Sequence, residues 1–259
     1  MRVFDNINCY NKHCSNMFIT RQFTVEADMM IEQHVKGNFA DAIDALASGR
    51  IVLLHDSSSR ENEIDMIAAS QFCTPDMIAL MREKAGGLIC SAIGNDVASV
   101  LQLPFMHDII DFAKTRYPRF SSIIDREMPY GGKPAFSLSL NHRSVFTGVT
   151  DKDRSLTVST LGSIAMMVKN GEQVAADAFY SEFKTPGHVP LLIEAEESLT
   201  QRRGHTELSI HLARLAGLAP ATVVCEMQDS NTHGALSVGD AVKFADRFGV
   251  PFVDGDSIH

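Results

Sequence analysis

Residues 60–65 read Arg60-Glu61-Asn62-Glu63-Ile64-Asp65, a guanidinium and three carboxylates set close together. They follow closely on an apolar run, Ile51-Val52-Leu53-Leu54. Charge crowded at the end of a buried strand is costly unless something uses it. In an extended segment Glu61, Glu63 and Asp65 share one face. Their mutual repulsion is relieved by a bound cation or by a proton. Taken alone, the segment also fits a solvated acidic loop. A second polar cluster far downstream, Arg202-Arg203-Gly204-His205-Thr206-Glu207, shifts the balance toward chemistry.

The downstream cluster sits where a helix should start. Free main-chain N–H groups and the positive end of the helix dipole collect there, and anions bind such ends. Gly204 would let an oxyanion approach the backbone, Thr206 adds a hydroxyl, and Arg202 or Arg203 a two-pronged cation. The set suits a phosphate monoester; standing alone it equally describes a capped helix with exposed arginines. His205 is a candidate metal ligand, acid/base or structural group. Further polar punctuation, Thr147-Gly148 through Asp153-Arg154, Thr185-Pro186-Gly187-His188, and Glu226, falls near expected strand ends, where α/β-type domains build sites.

The elements that must carry these residues alternate. A helical stripe, Phe39, Ala42, Ile43, Leu46 and Ala47, closes at Gly49 and leads into a buried strand over 51–55. A second strand covers 64–69. Thr74-Pro75-Asp76 starts a helix that stops at Gly86-Gly87. A strand over 88–93 and a short helix over 96–101 follow. The stretch 104–134 mixes aromatics, prolines and both charge signs and reads as a long irregular connection. Then come a half-buried strand over 136–140, a helix over 159–169, a strand over 189–193, a helix over 206–216, a strand over 222–227, a helix over 240–248 and an extended end over 250–253. This alternation predicts an α+β (α/β three-layer) domain, a mixed twisted sheet flanked by helices.

Composition bounds the partners. At 259 residues with 45% hydrophobic and 21% charged residues, the chain is ordinary for a globular protein. A net charge of −9 without basic blocks argues against nucleic acid, though not against a small phosphate ester. Apolar runs fall short of the roughly 20 residues that span a bilayer. With no export or transit signal, a cytoplasmic protein is expected. Five scattered cysteines make no disulfide scaffold. Cys9 and Cys14 around His13 form a weak metal pattern without a partner cluster. Residues 1–35 read as a poorly ordered extension and 36–259 as one domain.

Taken together, Arg60 to Asp65, Ala85-Gly86-Gly87-Leu88-Ile89-Cys90, Thr147-Gly148, Asp153-Arg154, Thr185 to His188, Arg202 to Glu207 and Cys225-Glu226 closely resemble, in order, the family of 3,4-dihydroxy-2-butanone 4-phosphate synthase, a lyase of riboflavin biosynthesis. The 104–134 stretch and Asn141-His142-Arg143 resemble its archaeal-type branch. The chain has no room for the GTP cyclohydrolase II domain often fused to this family and is expected to be monofunctional.

The resemblance implies conversion of D-ribulose 5-phosphate to 3,4-dihydroxy-2-butanone 4-phosphate plus formate, with Mg2+ as cofactor, Mn2+ as a substitute and a homodimer as the working unit. It implies that Glu61 and His205 ligate the metal. Arg60, Glu61, Asp65, Thr147, Arg202, Arg203, Gly204, His205, Thr206 and Glu226 fall to substrate binding. His188, Glu226, Cys90, Glu63 and Asp65 fall to catalysis. One departure stands out: Ser57-Ser58-Ser59 occupies a loop where the family carries further acids, which predicts metal binding weaker than in relatives or a water in place of a lost contact. Rival readings are a phosphosugar isomerase or aldolase, which would release no formate, and a non-catalytic phosphosugar-binding homologue.

Overall fold

The computed structural model describes residues 39–123 and 133–258. The Cys9–His13–Cys14 pattern and the expected N-terminal extension lie outside them. Helix α1 covers 39–47. Then follow β1 (Val52–His55), β2 (Ile64–Ala69), α2 (Pro75–Lys84), β3 (Cys90–Ile93), α3 (Asn95–Val100), α4 (Met106–Ala113), β4 (Phe136–His142), α5 (Asp151–Lys169), α6 (Ala175–Glu182), β5 (Phe183–Ile193), α7 (His205–Leu215) and β6 (Ala221–Glu226). A two-residue pair, β7 (Gln228–Asp229) and β8 (Gly234–Ala235), precedes α8 (Val238–Phe248) and β9 (Phe252–Asp254).

Seven strands form one mixed sheet in the order β4-β5-β3-β6-β2-β1-β9. The β3–β5 and β1–β9 pairs are parallel and the others antiparallel. β2 lies inside the sheet and is buried along its whole length, which is why it reads as an apolar run interrupted only by Asp65. Leu53, Ile64 and Met66 face one side, packed with Ile78 and Met81 of α2 and Val242 of α8. Leu54, Ile67 and Val224 face the other, packed with Leu46 of α1 and Leu208 and Leu212 of α7. Helix, sheet and helix thus make the three layers of an α/β fold.

Local chemistry explains most boundaries. Thr74 caps α2 by accepting from Met77 N, and Pro75 fills the first turn. α8 ends on Gly249, left-handed at φ 62°. α5 begins eight residues before the expected start at 159. The polar run Thr150-Asp151-Lys152-Asp153 is its cap and first turn, with Thr150 accepting from Asp153 N. The stretch 104–134 is not wholly irregular, since it contains α4, a short helix with no fully buried residue and no capping side chain at Phe105 to mark its start. β5 runs through Thr185-Pro186-Gly187-His188 instead of starting after it. Pro186 is tolerated there because β3 begins only at Cys90, leaving that stretch of β5 paired to β4 alone.

Candidate active site

One end of the sheet collects the charged side chains. Asp65 on β2 and Glu226 on β6 are register partners, and Cys90 on β3 pairs with Val224. Above them the start of α7 delivers His205 and Thr206, both almost fully buried. A cleft of about 100 Å3 is lined by these groups together with Glu61 and Arg202 and floored by Val224, Leu192 and Phe136. A larger recess of about 440 Å3, lined by Phe105, His107 and Lys133, shares Pro134 and Arg202 with it.

Residues 57–62 are a turn rather than an extended strand, so Glu61 and Glu63 do not share a strand face with Asp65. Asp56, 1% exposed, makes the turn. Its Oδ2 accepts from Glu61 N at 3.0 Å and Arg60 Nη1 at 3.0 Å, and its Oδ1 accepts from Glu63 N at 3.2 Å. Asn62 supplies a left-handed residue at φ 54°. Its Oδ1 lies 3.1 Å from His55 Nε2, and His55 Nδ1 lies 3.2 Å from Asp254 Oδ1. Of the three serines, Ser57 Oγ lies 2.9 Å from Ser59 Oγ and 3.3 Å from Asp256 Oδ2. The sequence reading missed Asp56, His55 and Asp254. An acid and a histidine ending an apolar strand were the available signal.

The turn sets Glu61 beside His205, with Oε2 3.4 Å from Nδ1. His205 Nε2 lies 3.1 Å from the Glu63 carbonyl oxygen, which can only accept. In a neutral ring this places the hydrogen on Nε2 and leaves the Nδ1 lone pair facing Glu61, as a metal ligand requires. Asp56, Glu61 and His205 offer ligand atoms within 4.8 Å of one another. Asp65 Oδ1, fully buried and 3.7 Å from His205 Nε2, has no hydrogen-bond partner among the described residues. An orphaned carboxylate oxygen beside a carboxylate–imidazole pair fits a site for a hard divalent cation.

The electrostatics express the same demand for positive charge. Burial, reinforced by the carboxylates of Glu226, Glu61 and Glu63, raises the Asp65 carboxyl to about 7 against a partial offset from His205. Burial works against a charged His205, yet the Asp65 carboxylate and the contact with Glu61 overcome it and raise the ring to about 9. Glu63 is raised by burial and by neighbouring Glu61 and Glu226. Cys90 lines the cleft, but burial and the nearby carboxylates push its thiol far up. It therefore stands there as a neutral thiol.

The remaining candidates divide. Arg202 borders the cleft, with Nε 3.5 Å from Glu207 Oε2. Arg203 turns away, donating to the carbonyls of Gly255 at 3.0 Å and Ile258 at 2.6 Å. Gly204 does not open its backbone to an anion. Its N–H is taken by Glu207 Oε2 at 3.2 Å, and a Cβ there would meet Arg60 Nη2 at 2.8 Å. The missing side chain makes room for Arg60 instead. Thr147 and His188 are exposed and do not line the cleft. Glu226 Oε2 accepts from Leu88 N at 2.7 Å.

The model of the family described as 3,4-dihydroxy-2-butanone 4-phosphate synthase matches residues 40–259. The chain is 40% identical to the enzyme of that name from Archaeoglobus fulgidus, over 85% of this chain and 92% of that one. It is 41% identical to the one from Methanothermobacter thermautotrophicus, over 83% of this chain and 91% of that one. A solved 3,4-dihydroxy-2-butanone 4-phosphate synthase in complex with two magnesium ions superposes with a TM-score of 0.66 at 29% identity, over 85% of this chain and 93% of that one. Identity at this level across nearly the whole length, on the same fold, means that the chain belongs to the 3,4-dihydroxy-2-butanone 4-phosphate synthase family.

Proposed function

We propose that the chain catalyses the reaction its family is named for, within riboflavin biosynthesis: D-ribulose 5-phosphate is converted to 3,4-dihydroxy-2-butanone 4-phosphate and formate. The atoms balance without a further reactant, since the carbon lost from the pentose leaves as formic acid. The observation that carries this reading is the Glu61–His205 pair beside the orphaned oxygen of Asp65. Mere phosphosugar binding does not require that arrangement. Glu61 through its carboxylate and His205 through Nδ1 would hold Mg2+, with Mn2+ suited to the imidazole donor. A bound divalent cation supplies Lewis acidity where negative charge develops on carbonyl or enediolate oxygens.

The protein's own groups handle the rest. Arg202 and Thr206 at the start of α7 bind the phosphate, and Arg60, laid against Gly204, adds positive charge. Asp65, buried at the inner end of the cleft, takes and returns a proton during enolisation. Glu226 is held through Oε2 by Leu88 N–H, which leaves Oε1 to exchange protons. His188 serves a further step from the sheet margin. The apolar floor keeps water off the reacting carbons.

The working unit is a cytoplasmic homodimer. In support, Phe146 is 96% exposed and Val149 53% exposed on either side of Thr147, an apolar patch that a second copy would cover. In addition, no helix among the described residues is long and apolar enough to cross a membrane.

The deciding experiment is formate release from D-ribulose 5-phosphate, with Mg2+ and with EDTA, in wild type and Glu61→Gln. Metal-dependent formate lost in the variant is expected. Pentose isomerisation without formate from folded, metal-loaded wild type would overturn the assignment.

A further inference from the structure

His188 lies outside the 100 Å3 cleft, on the strand whose Leu192 lines it. The pairing of β5 with β4 breaks between Leu140↔Val189 and Asn141↔Lys184, and His188 sits in that break.

The neighbour that fixes His188 is Asn141 on β4, 5% exposed. The main-chain N–H of His188 can only donate, and it lies 2.9 Å from Asn141 Oδ1, which makes that atom the amide oxygen. The other terminal atom, the amide nitrogen Nδ2, lies 3.1 Å from His188 Nδ1. The amide oxygen lies slightly farther from Nδ1, at 3.3 Å. The amide cannot turn over without setting two donors together, and it is wedged against Gly148, where an added Cβ would come within 2.2 Å of Nδ2. The NH2 group is the nearer of the two amide atoms to Nδ1, and pairing with it uses the Nδ1 lone pair and leaves the hydrogen of the neutral ring on Nε2.

We infer that Asn141 is a positioning residue that holds His188 in the Nε2–H tautomer, so that the neutral ring donates a hydrogen bond to a developing substrate oxyanion instead of acting as a base. The inference deepens the proposed synthase reading and rests on it for the oxyanion and for the part His188 takes in the reaction. No bond to hydrogen breaks in this role. The residue supplies a donor, and losing one such donor costs on the order of 100-fold in kcat.

The test is nitrogen-15 NMR of the imidazole nitrogens at a pH where the ring is neutral, with His188 assigned by its absence in His188→Gln. Wild type should show Nδ1 unprotonated and Nε2 protonated. Asn141→Asp offers only acceptors and should move the hydrogen to Nδ1, with kcat down on the order of 100-fold and KM little changed. A wild-type Nδ1–H tautomer overturns the inference, as does an Asn141→Asp enzyme with reversed tautomer and full kcat. If Asn141→Asp does not fold, the wild-type spectrum decides alone. Absence of formate from wild type would instead strike the synthase reading and leave the tautomer assignment standing.

Discussion

Asp56 is one of three residues close enough to share a cation, yet its oxygens are already committed to Arg60 Nη1 and to the N–H groups of Glu61 and Glu63. It holds the turn rather than the metal, and Asp56→Asn separates the two roles. An asparagine has one acceptor. Set to serve Glu61 N and Arg60, it points its NH2 at Glu63 N–H, donor to donor. One hydrogen bond to a charged acceptor is lost outright, worth about 1.5–3 kcal/mol, and a buried N–H is left unmet at a further cost of about 1–3 kcal/mol. Some of this is recovered by relaxation of the turn. We expect a net loss of about 3 kcal/mol, or about 6–12 °C in Tm for a chain of this size. The assay is denaturant unfolding in EDTA, where no metal contributes, followed by Mg2+ titration of the folded variant. A turn-holding Asp56 gives reduced stability in EDTA and a weaker metal site through a misplaced Glu61. Unfolding in EDTA within about 0.5 kcal/mol of wild type, combined with a large loss of Mg2+ affinity, would refute the reasoning and make Asp56 a ligand.

Two further outcomes follow from the same site. In EDTA, stability should fall as pH rises from about 4 to 9: folded Asp65, at about 7, keeps a proton that the unfolded chain releases near 3.8, and His205, at about 9 against 6.5, loses its stabilising proton as pH climbs through the upper part of that range. Denaturant midpoints across pH read this directly, and Asp65→Asn should flatten the lower part of the slope. The exposed Ser58 of the serine turn should, as Ser58→Asp, lower the Mg2+ concentration needed for half-maximal activity; an unchanged requirement would mean that the missing acids do not limit metal binding.

What could be read from sequence and what could not divides along a physical line. Strands β1, β2, β3 and β6 and helices α2, α7 and α8 announce themselves because burial forces an apolar pattern and because caps such as Thr74 and Gly249 have few alternatives. α4 is only eight residues long and has no capping side chain at Phe105, so nothing marks where it starts. The first turn of α5 disguises itself as loop because capping and dipole chemistry select the polar residues that loops also use. The site shows the same limit more sharply. Residue type marked Glu61, Asp65, His205 and Glu226, since charges at strand and helix ends invite a use. Residue type could not say that Arg203 faces the C-terminal turn while Arg202, its neighbour, faces the cleft. Nor could it say that Gly204 accommodates a guanidinium rather than a phosphate. Those outcomes depend on which backbone groups arrive from segments far apart in the chain, such as the carbonyl of Ile258 for Arg203 or the carboxylate of Asp254 for His55. The charged groups that line the cleft are therefore the readable part of this site. The groups that hold the turn beneath them, Asp56 and His55, become visible only when the sheet has brought their partners together, and it is on these that the geometry of the cleft depends.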